Sequence, residues 1–198
     1  MSVPHHQIRA DFDRDSVVVY QAYSPKIAVP ALEAQRFVPP FSVRRMTWVK
    51  PSFLWLMARS GWGTKSGQEC ILAVRVRRSM FDDALGRAVL TSFQPGVHAS
   101  VSAWDRAFQA ARFHVQWDPE RSIRGAKLAH RSIQLGIGRF EIEAFVDEWT
   151  LELRDLTPLV KKMRMLVKAG KVAQAKRFLP AERVYPVPAG AEQLGFSR

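Results

Sequence analysis

The sequence predicts a single α+β domain with a mixed or mostly antiparallel sheet and flanking helices. Three observations carry that expectation. Six short runs rich in β-branched or aromatic residues recur along the chain, from SVVVY at 16–20 to WTLEL at 149–153. Helical patterns fall between some of these runs but not all, so the regular beat of a doubly wound fold is missing. The chain has 198 residues, the length of one domain, and 47% hydrophobic content with six Trp suffices for a sizeable core. Neither an internal repeat nor a low-complexity tract interrupts it.

Taken in order, residues 5–15 read as an entry loop carrying Ile8 and Arg9, and 16–20 as the first strand. Tyr23-Ser24-Pro25 matches a helix start, with Ser24 as N-cap and Pro25 in the first turn. That helix runs over 26–35 with Ile27 and Leu32 inward, and Pro39-Pro40 breaks whatever precedes. A strand over 46–49 leads into a helix over 51–59, closed by Ser60-Gly61-Trp62-Gly63. ECILAVRVR at 69–77 is the clearest strand of the middle. A short helix over 81–90, a loop over 94–100 and a segment at 101–111 that is helical or irregular follow. FHVQW at 113–117 and HRSIQLG at 130–136 alternate as strands; 140–148 is helical and 149–153 a final strand. Basic helices over 159–169 and 171–178 flank Gly170, and Pro180, Pro186 and Pro188 mark an extended tail. Residues 1–160 are thus expected to form the catalytic-like domain and 161–198 a basic helical extension. Helical spacing puts Leu159, Met163, Leu166 and Val167 on its docking side.

Composition narrows the class. No apolar run approaches the roughly 18 residues of a membrane span, and MSVPHHQIRADFD has no apolar signal core. A single cysteine, Cys70, excludes an internal disulfide and a multi-cysteine zinc site. The expectation is a cytoplasmic protein with no membrane partner. Thirty Lys plus Arg against eighteen Asp plus Glu give a net charge of +12, hence a positive field whose commonest partner is nucleic acid. An acidic lipid surface or an acidic protein would answer the same field. The excess concentrates at 161–177, with seven basic residues and no acidic one.

The stretch at 36–65, RFVPPFSVRRMTWVKPSFLWLMARSGWGTK, packs three Trp, three Phe and six Lys or Arg into thirty residues. Buried Lys and Arg need partners; phosphate suits their charge and indoles stack on bases. The plainer alternative is a core strand and helix whose basic ends reach water. Phosphate-loop glycines, metal-spaced histidines and a Gly-x-Ser-x-Gly elbow are all missing. Three constellations remain: Arg9; then Arg45, Trp48, Lys50, Ser52, Arg59 and Lys65; and finally Gln116 to Arg121 with Arg131 and Gln134. Lys50 precedes a helix start, where free N–H groups favour an anion. Asp118 or Glu120 is a candidate general base. Alternatively, Asp118-Pro119 is a turn and Glu120 pairs with Arg121 or Arg124.

VYQAYSPKIAVPAL, RFVPPFSVRRMTWVKPSFLWLMARSGW, VQWDPER and RSIQLGI resemble the bacterial and fungal family catalogued as domain of unknown function 4291. More distantly, IRADFD, VVVYQAYSPKIAVPALEAQRF, RRMTWVKPS and ILAVRV are similar in order and spacing to the ADP-ribosyltransferase-like fold. The nearest echo is the RNA 2′-phosphotransferases. Their pattern runs Arg-x-Arg-Ala, Tyr-His-Gly-Thr-Ser, then Arg-x-His-Val-His-Leu-Ser. Arg9 falls on the second Arg of the first motif and Ser52 on the last residue of the third; Tyr20, Gln21 and Tyr23 fall within the second. Trp48 and Lys50 stand where the family has paired histidines, and Arg45 is one position off its Arg. The resemblance implies a split sheet, a nucleotide-binding cleft and NAD as the cofactor to consider. The resulting expectation is an enzyme, transferase-like, acting on a nucleotide or on RNA or DNA phosphate. Lys50, Asp118 or Glu120 would do the chemistry. Phosphate or nucleotide would be held by Arg9, Tyr20, Gln21, Tyr23, Arg45, Trp48, Ser52, Arg59, Lys65, Arg121, Arg131 and Gln134. The rivals are a non-catalytic nucleic-acid-binding module using the same cleft, and a regulatory protein docking an acidic partner.

Overall fold

The structure is a computed structural model that describes residues 5–196. The first four residues of the segment read as lacking a signal core, and the last two of the tail, lie outside it. Its largest elements are two sheets. One has the order β2-β4-β8, formed by β2 (Ser16–Tyr23), β4 (Cys70–Arg77) and β8 (Thr150–Asp155), all antiparallel. Val17 and Val19 of β2 face the main core, whereas Val18 and Tyr20 face a second, smaller one. A strand buried on both faces carries no polar alternation, which is why SVVVY reads as an unbroken apolar run.

The other sheet has the order β3-β7-β6-β5. It comprises β3 (Thr47–Val49), β5 (Val89–Leu90), β6 (Phe113–Arg121) and β7 (Lys127–Ile137). β6 and β7 form an antiparallel hairpin, β3 pairs antiparallel with β7, and β5 runs parallel to β6. Val115, Trp117, Ile133, Leu135 and Ile137 turn into the main core against Val17, Val19, Leu72 and Val74 of the first sheet. Asp118-Pro119 is not a turn: β6 continues through it to Arg121, with a register shift between Pro119 and Arg121. The ladder bonds to β7 outweigh the breaking tendency of a proline that needs no N–H on its unpaired side.

The sheets touch at one backbone bridge. Tyr20 N–H donates to the Lys50 carbonyl (2.7 Å) and Lys50 N–H to the Tyr20 carbonyl (3.3 Å). Beyond it β2 and β3 diverge. A third, two-stranded sheet joins β1 (Arg9–Ala10) to β9 (Arg183–Val184) near the termini.

The helices are α1 (Pro25–Ala34), α2 (Phe53–Ser60), α3 (Arg78–Arg87), α4 (Val101–Ala110), the single turn α5 (Ile142–Ala144), α6 (Thr157–Lys168) and α7 (Val172–Lys176). Several differ from expectation. The helix expected at 81–90 begins at Arg78 and yields at Val89 to a parallel strand, because β6 offers an edge there. The helix expected at 140–148 is a turn followed by a π-helical segment, Phe145–Trp149, whose wider spacing sends Phe145, Val146 and Trp149 all inward. On α6 the buried seam is Thr157, Val160 and Met163 rather than one through Leu166.

The segment from 161 onward is woven into the fold. Tyr185, Ala191 and Leu194 belong to the main core, and β9 pairs with β1. Tyr185 is 2% exposed. Its ring meets Phe12 and Phe81 edge-on, and its hydroxyl donates to Asp82 at 2.5 Å. Because so large a group is lost from a packed site, Tyr185→Ala should destabilise the fold by about 3–5 kcal/mol. Urea denaturation reads this; a loss within about 0.5 kcal/mol, typical of surface sites, would mean that the tail docks only loosely.

Candidate functional site

Where β2 and β3 part, side chains replace the missing backbone ladder. Gln21 Nε2 donates to Thr47 Oγ1 (2.9 Å) and to the Trp48 carbonyl (3.2 Å). That carbonyl also accepts from Lys50 Nζ (3.1 Å), and the Tyr23 hydroxyl shares a 3.2 Å bond with Thr47 Oγ1. A continuous polar chain thus runs from Tyr23 to Lys50. Gln21 is 2% exposed, and its Oε1 has no partner among the described residues. Since its amide nitrogen faces a carbonyl acceptor, the orphaned atom is the oxygen. Between the diverging strands lies a cavity of about 170 Å³, lined by Gln21, Tyr23, Arg45, Thr47, Trp48 and Lys50 among others.

Trp48 reaches this cavity because of a glycine. Its indole lies over Gly136 on the paired strand β7, and a Cβ there would stand 2.9 Å from the ring. On the same face of the sheet, Gln134 lies opposite Gln116, and Ser132 opposite Asp118. Gln116 Nε2 and Gln134 Nε2 each donate to one Asp118 carboxylate oxygen at 3.0 Å. Burial nevertheless raises the Asp118 pKa, against the pull of those two bonds and of Arg131 and Lys50. Burial also brings Lys50 down to about 8, helped by Arg59 and opposed by Asp118. Its ammonium lies 5.7 Å from the centre of the Trp55 ring. Both groups are therefore pushed toward their neutral forms, the condition under which a proton can pass at neutral pH.

Not every expected residue joins them. The structure gathers Gln21, Tyr23, Arg45, Trp48 and Lys50 around the cavity, with Asp118 electrostatically coupled to Lys50 and Gln134 bonded to Asp118. Burial holds the Tyr23 phenol up at about 12, with Arg45 close enough to pull against it. Tyr20 points to the opposite face of β2, into the second core with Phe53. Ser52 is the N-cap of α2, accepting from Trp55 N–H at 3.2 Å, and is 1% exposed. Lys65 closes the far end of α2 by donating to the Arg59 carbonyl. Arg121 is tied to the β6–β7 turn through the Gly125 carbonyl, and Arg131 to Trp117 and His5.

The place of the anion expected at the start of α2 is taken by a carboxyl group of the chain itself. Phe53 N–H donates to Glu182 Oε1 at 2.7 Å, and Arg9 donates to the Glu182 carbonyl at 3.4 Å. Lys50 Nζ bonds the Trp48 carbonyl and lies over the Trp55 ring instead. Glu120 is 6% exposed and accepts from Arg121 N–H, close enough to Glu182 for mutual repulsion. Arg9 and Glu120 therefore serve a carboxylate cluster apart from Lys50 and Asp118. Glu182 was not legible as a capping residue at 129 positions' remove. Its one signal is that it is the sole acid between Asp155 and Glu192.

Burial lifts the Glu182 pKa from 4.5 to about 8, with Glu120 adding and Phe53 N–H and Arg9 opposing. The folded chain then holds more protons than the unfolded one between those two values. The contribution of Glu182 to stability should fall as pH rises from about 4.5 to about 8 and be level on either side. Glu182→Gln keeps an oxygen for Phe53 N–H but cannot ionise. Its Tm should be flatter across that window and exceed the wild-type value at the upper end. Parallel Tm curves for the two proteins would show that Glu182 is already ionised in the fold.

A search of curated proteins finds no match to the chain. A family model does match, over residues 7–185, a span that takes in both sheets, the cavity at their junction and Glu182. On that match, the chain belongs to the family described as Domain of unknown function (DUF4291).

Proposed function

We propose that the protein is an enzyme acting on the phosphate-bearing part of a nucleotide or nucleic acid, in the cleft between β2 and β3. The observation that carries this is the buried amine of Lys50 at the edge of a polar cavity, electrostatically coupled to Asp118, with both pKa values displaced toward neutrality. Such pairing suits proton transfer during reaction. Arg45 brings a fixed cation to the cavity, Trp48 and Tyr23 bring ring faces, and Gln21 has an unused acceptor for a ligand hydroxyl or amine. At about 170 Å³ the cavity falls below the roughly 300–1,000 Å³ of sites that enclose drug-sized ligands. It suits a phosphoryl or ribose portion rather than a whole dinucleotide. The divergence of two sheets around this cleft supports the ADP-ribosyltransferase-like reading. The paired histidines of that family are Trp48 and Lys50 here, so the donor is left as a nucleotide, with NAD one member of that class. The second reading, a non-catalytic nucleic-acid-binding module, draws on the net charge of +12.

Lys50 separates the two. If its amine moves a proton, Lys50→Ala should lower kcat by about 10²–10⁴-fold with little change in nucleotide affinity. With the neutral amine as the proton acceptor, the wild-type rate should rise with pH through about 8, where this amine titrates. Arg45→Ala should instead weaken binding while leaving turnover at saturation. Incubation with labelled NAD, ATP and RNA, followed by product analysis, supplies the assay. A Lys50→Ala protein with wild-type affinity and wild-type turnover would overturn the site, and binding without turnover by any wild-type preparation would favour the module.

A further inference from the structure

The cations of α6 and α7 have no acidic partner inside the fold. Lys161, Lys162, Lys168, Lys171, Lys176 and Arg177 are exposed, and no acid interrupts the run. Among the described residues, none of them enters an ion pair with a carboxylate, while Arg36, Arg75, Arg78, Arg87, Arg112 and Arg154 all do. Lys161, Arg164 and Lys168 follow one stripe of α6 at the spacing of neighbouring turns. The other side of the helix is already taken: Val160 and Met163 are buried in the second core. A stripe of like charges without counter-charges raises the local potential and is kept only at a cost in self-repulsion.

We propose that this stripe binds the backbone of a polynucleotide, so that the substrate of the cleft is a nucleic-acid strand rather than a free nucleotide. The inference rests on the reading of the cleft as a phosphate site and narrows its substrate class. The α6 helix starts on the strand end that leads to the cavity. Leu156 N–H donates to the Ile71 carbonyl, Thr157 Oγ1 accepts from Ile71 N–H, and Ile71 pairs with Ala22, which lines the cavity. Arg59, electrostatically coupled to Lys50, lies exposed on α2, which covers the same second core as α6. Two helices that cover one core thus both carry exposed cations, and one of them, through Arg59, is coupled to Lys50. A membrane is the poorer partner, because the apolar side of α6 is buried and Met165 is the large apolar residue left exposed on it.

The test changes only exposed charges: Lys161, Lys168, Lys171 and Lys176, all to Gln, leaving Lys162 on the Phe178 ring. Deleting this segment instead would remove Tyr185 from the core. Binding is measured to a single-stranded RNA of about twenty nucleotides, to ATP, and to phosphatidylserine vesicles. The quadruple variant should bind the RNA at least tenfold more weakly. Its slope of log K against log salt should be shallower by about 0.7 for each phosphate that the variant no longer neutralises. ATP binding should be unchanged. Arg45→Ala should show the reverse preference, weakening ATP binding most. Equal RNA affinity and salt slope in wild type and quadruple variant would overturn the stripe while leaving the cleft standing. Loss of vesicle binding without loss of RNA binding would overturn it in favour of a lipid surface. If wild type binds ATP but no RNA, the strand proposal fails alone; if it binds neither, the phosphate reading of the cleft fails with it.

Discussion

The two-bond bridge between Tyr20 and Lys50 is the constraint on which the rest of the architecture turns. It joins two sheets whose inner faces share one core, and it is the point beyond which β2 and β3 diverge. A continuous ladder would have left no cavity. With the ladder broken, a buried backbone carbonyl still needs a partner: Gln21 and Lys50 supply the one at Trp48 from their side chains, and Thr47 Oγ1 links Gln21 to Tyr23. The same residues thereby become the lining of the cleft. Stability and candidate chemistry are thus drawn from one set of hydrogen bonds.

The electrostatic layout follows from burial. Lys50 and Asp118 lie on the outer face of the four-stranded sheet, under cover of α2 and its Trp55. Neither is fully neutralised by an ion pair, so each is displaced toward its uncharged form. At the start of α2, Glu182 is coupled electrostatically to Glu120 and Arg9, and burial displaces it too toward neutrality. One helix N-terminus thus divides two groups of titrating residues. The division explains why residues that look equivalent as cationic candidates take different parts: Arg9 holds the tail, and Lys50 faces the cleft.

Much was legible locally. SVVVY, ECILAVRVR, FHVQW and HRSIQLG form strands where their β-branched content and alternation place them, and Gly61 stops α2 as expected, although the helix starts at Phe53 behind a Ser52 cap rather than at Pro51. Pairing overrode local signals in two places. Asp118-Pro119 stays in β6 because β7 holds it, and Val89–Leu90 leaves the helix because an edge of β6 is open. Composition grouped Trp48 with Lys50, because cations beside indoles require a partner; Gln21 entered through its motif's resemblance, and Asp118 as a candidate base in a separate constellation. Their separation from Arg9, Glu120 and Tyr20 was not legible, since the side of a strand or helix end that a residue faces depends on what packs there.

The sequence by itself determined the α+β class, the main strands, the excess of positive charge and the family to which the chain belongs. Each of these is written in local periodicity, composition or contiguous motifs. Tertiary structure alone decided that Glu182 fills the start of α2, that Gly136 makes room for Trp48, and that Tyr185 anchors the tail in the core. These pairs stand far apart in the chain, Phe53 and Glu182 by 129 positions, and no local pattern reaches across such a span. Their partners are chosen by how two sheets pack and diverge, and that geometry exists only once both have formed.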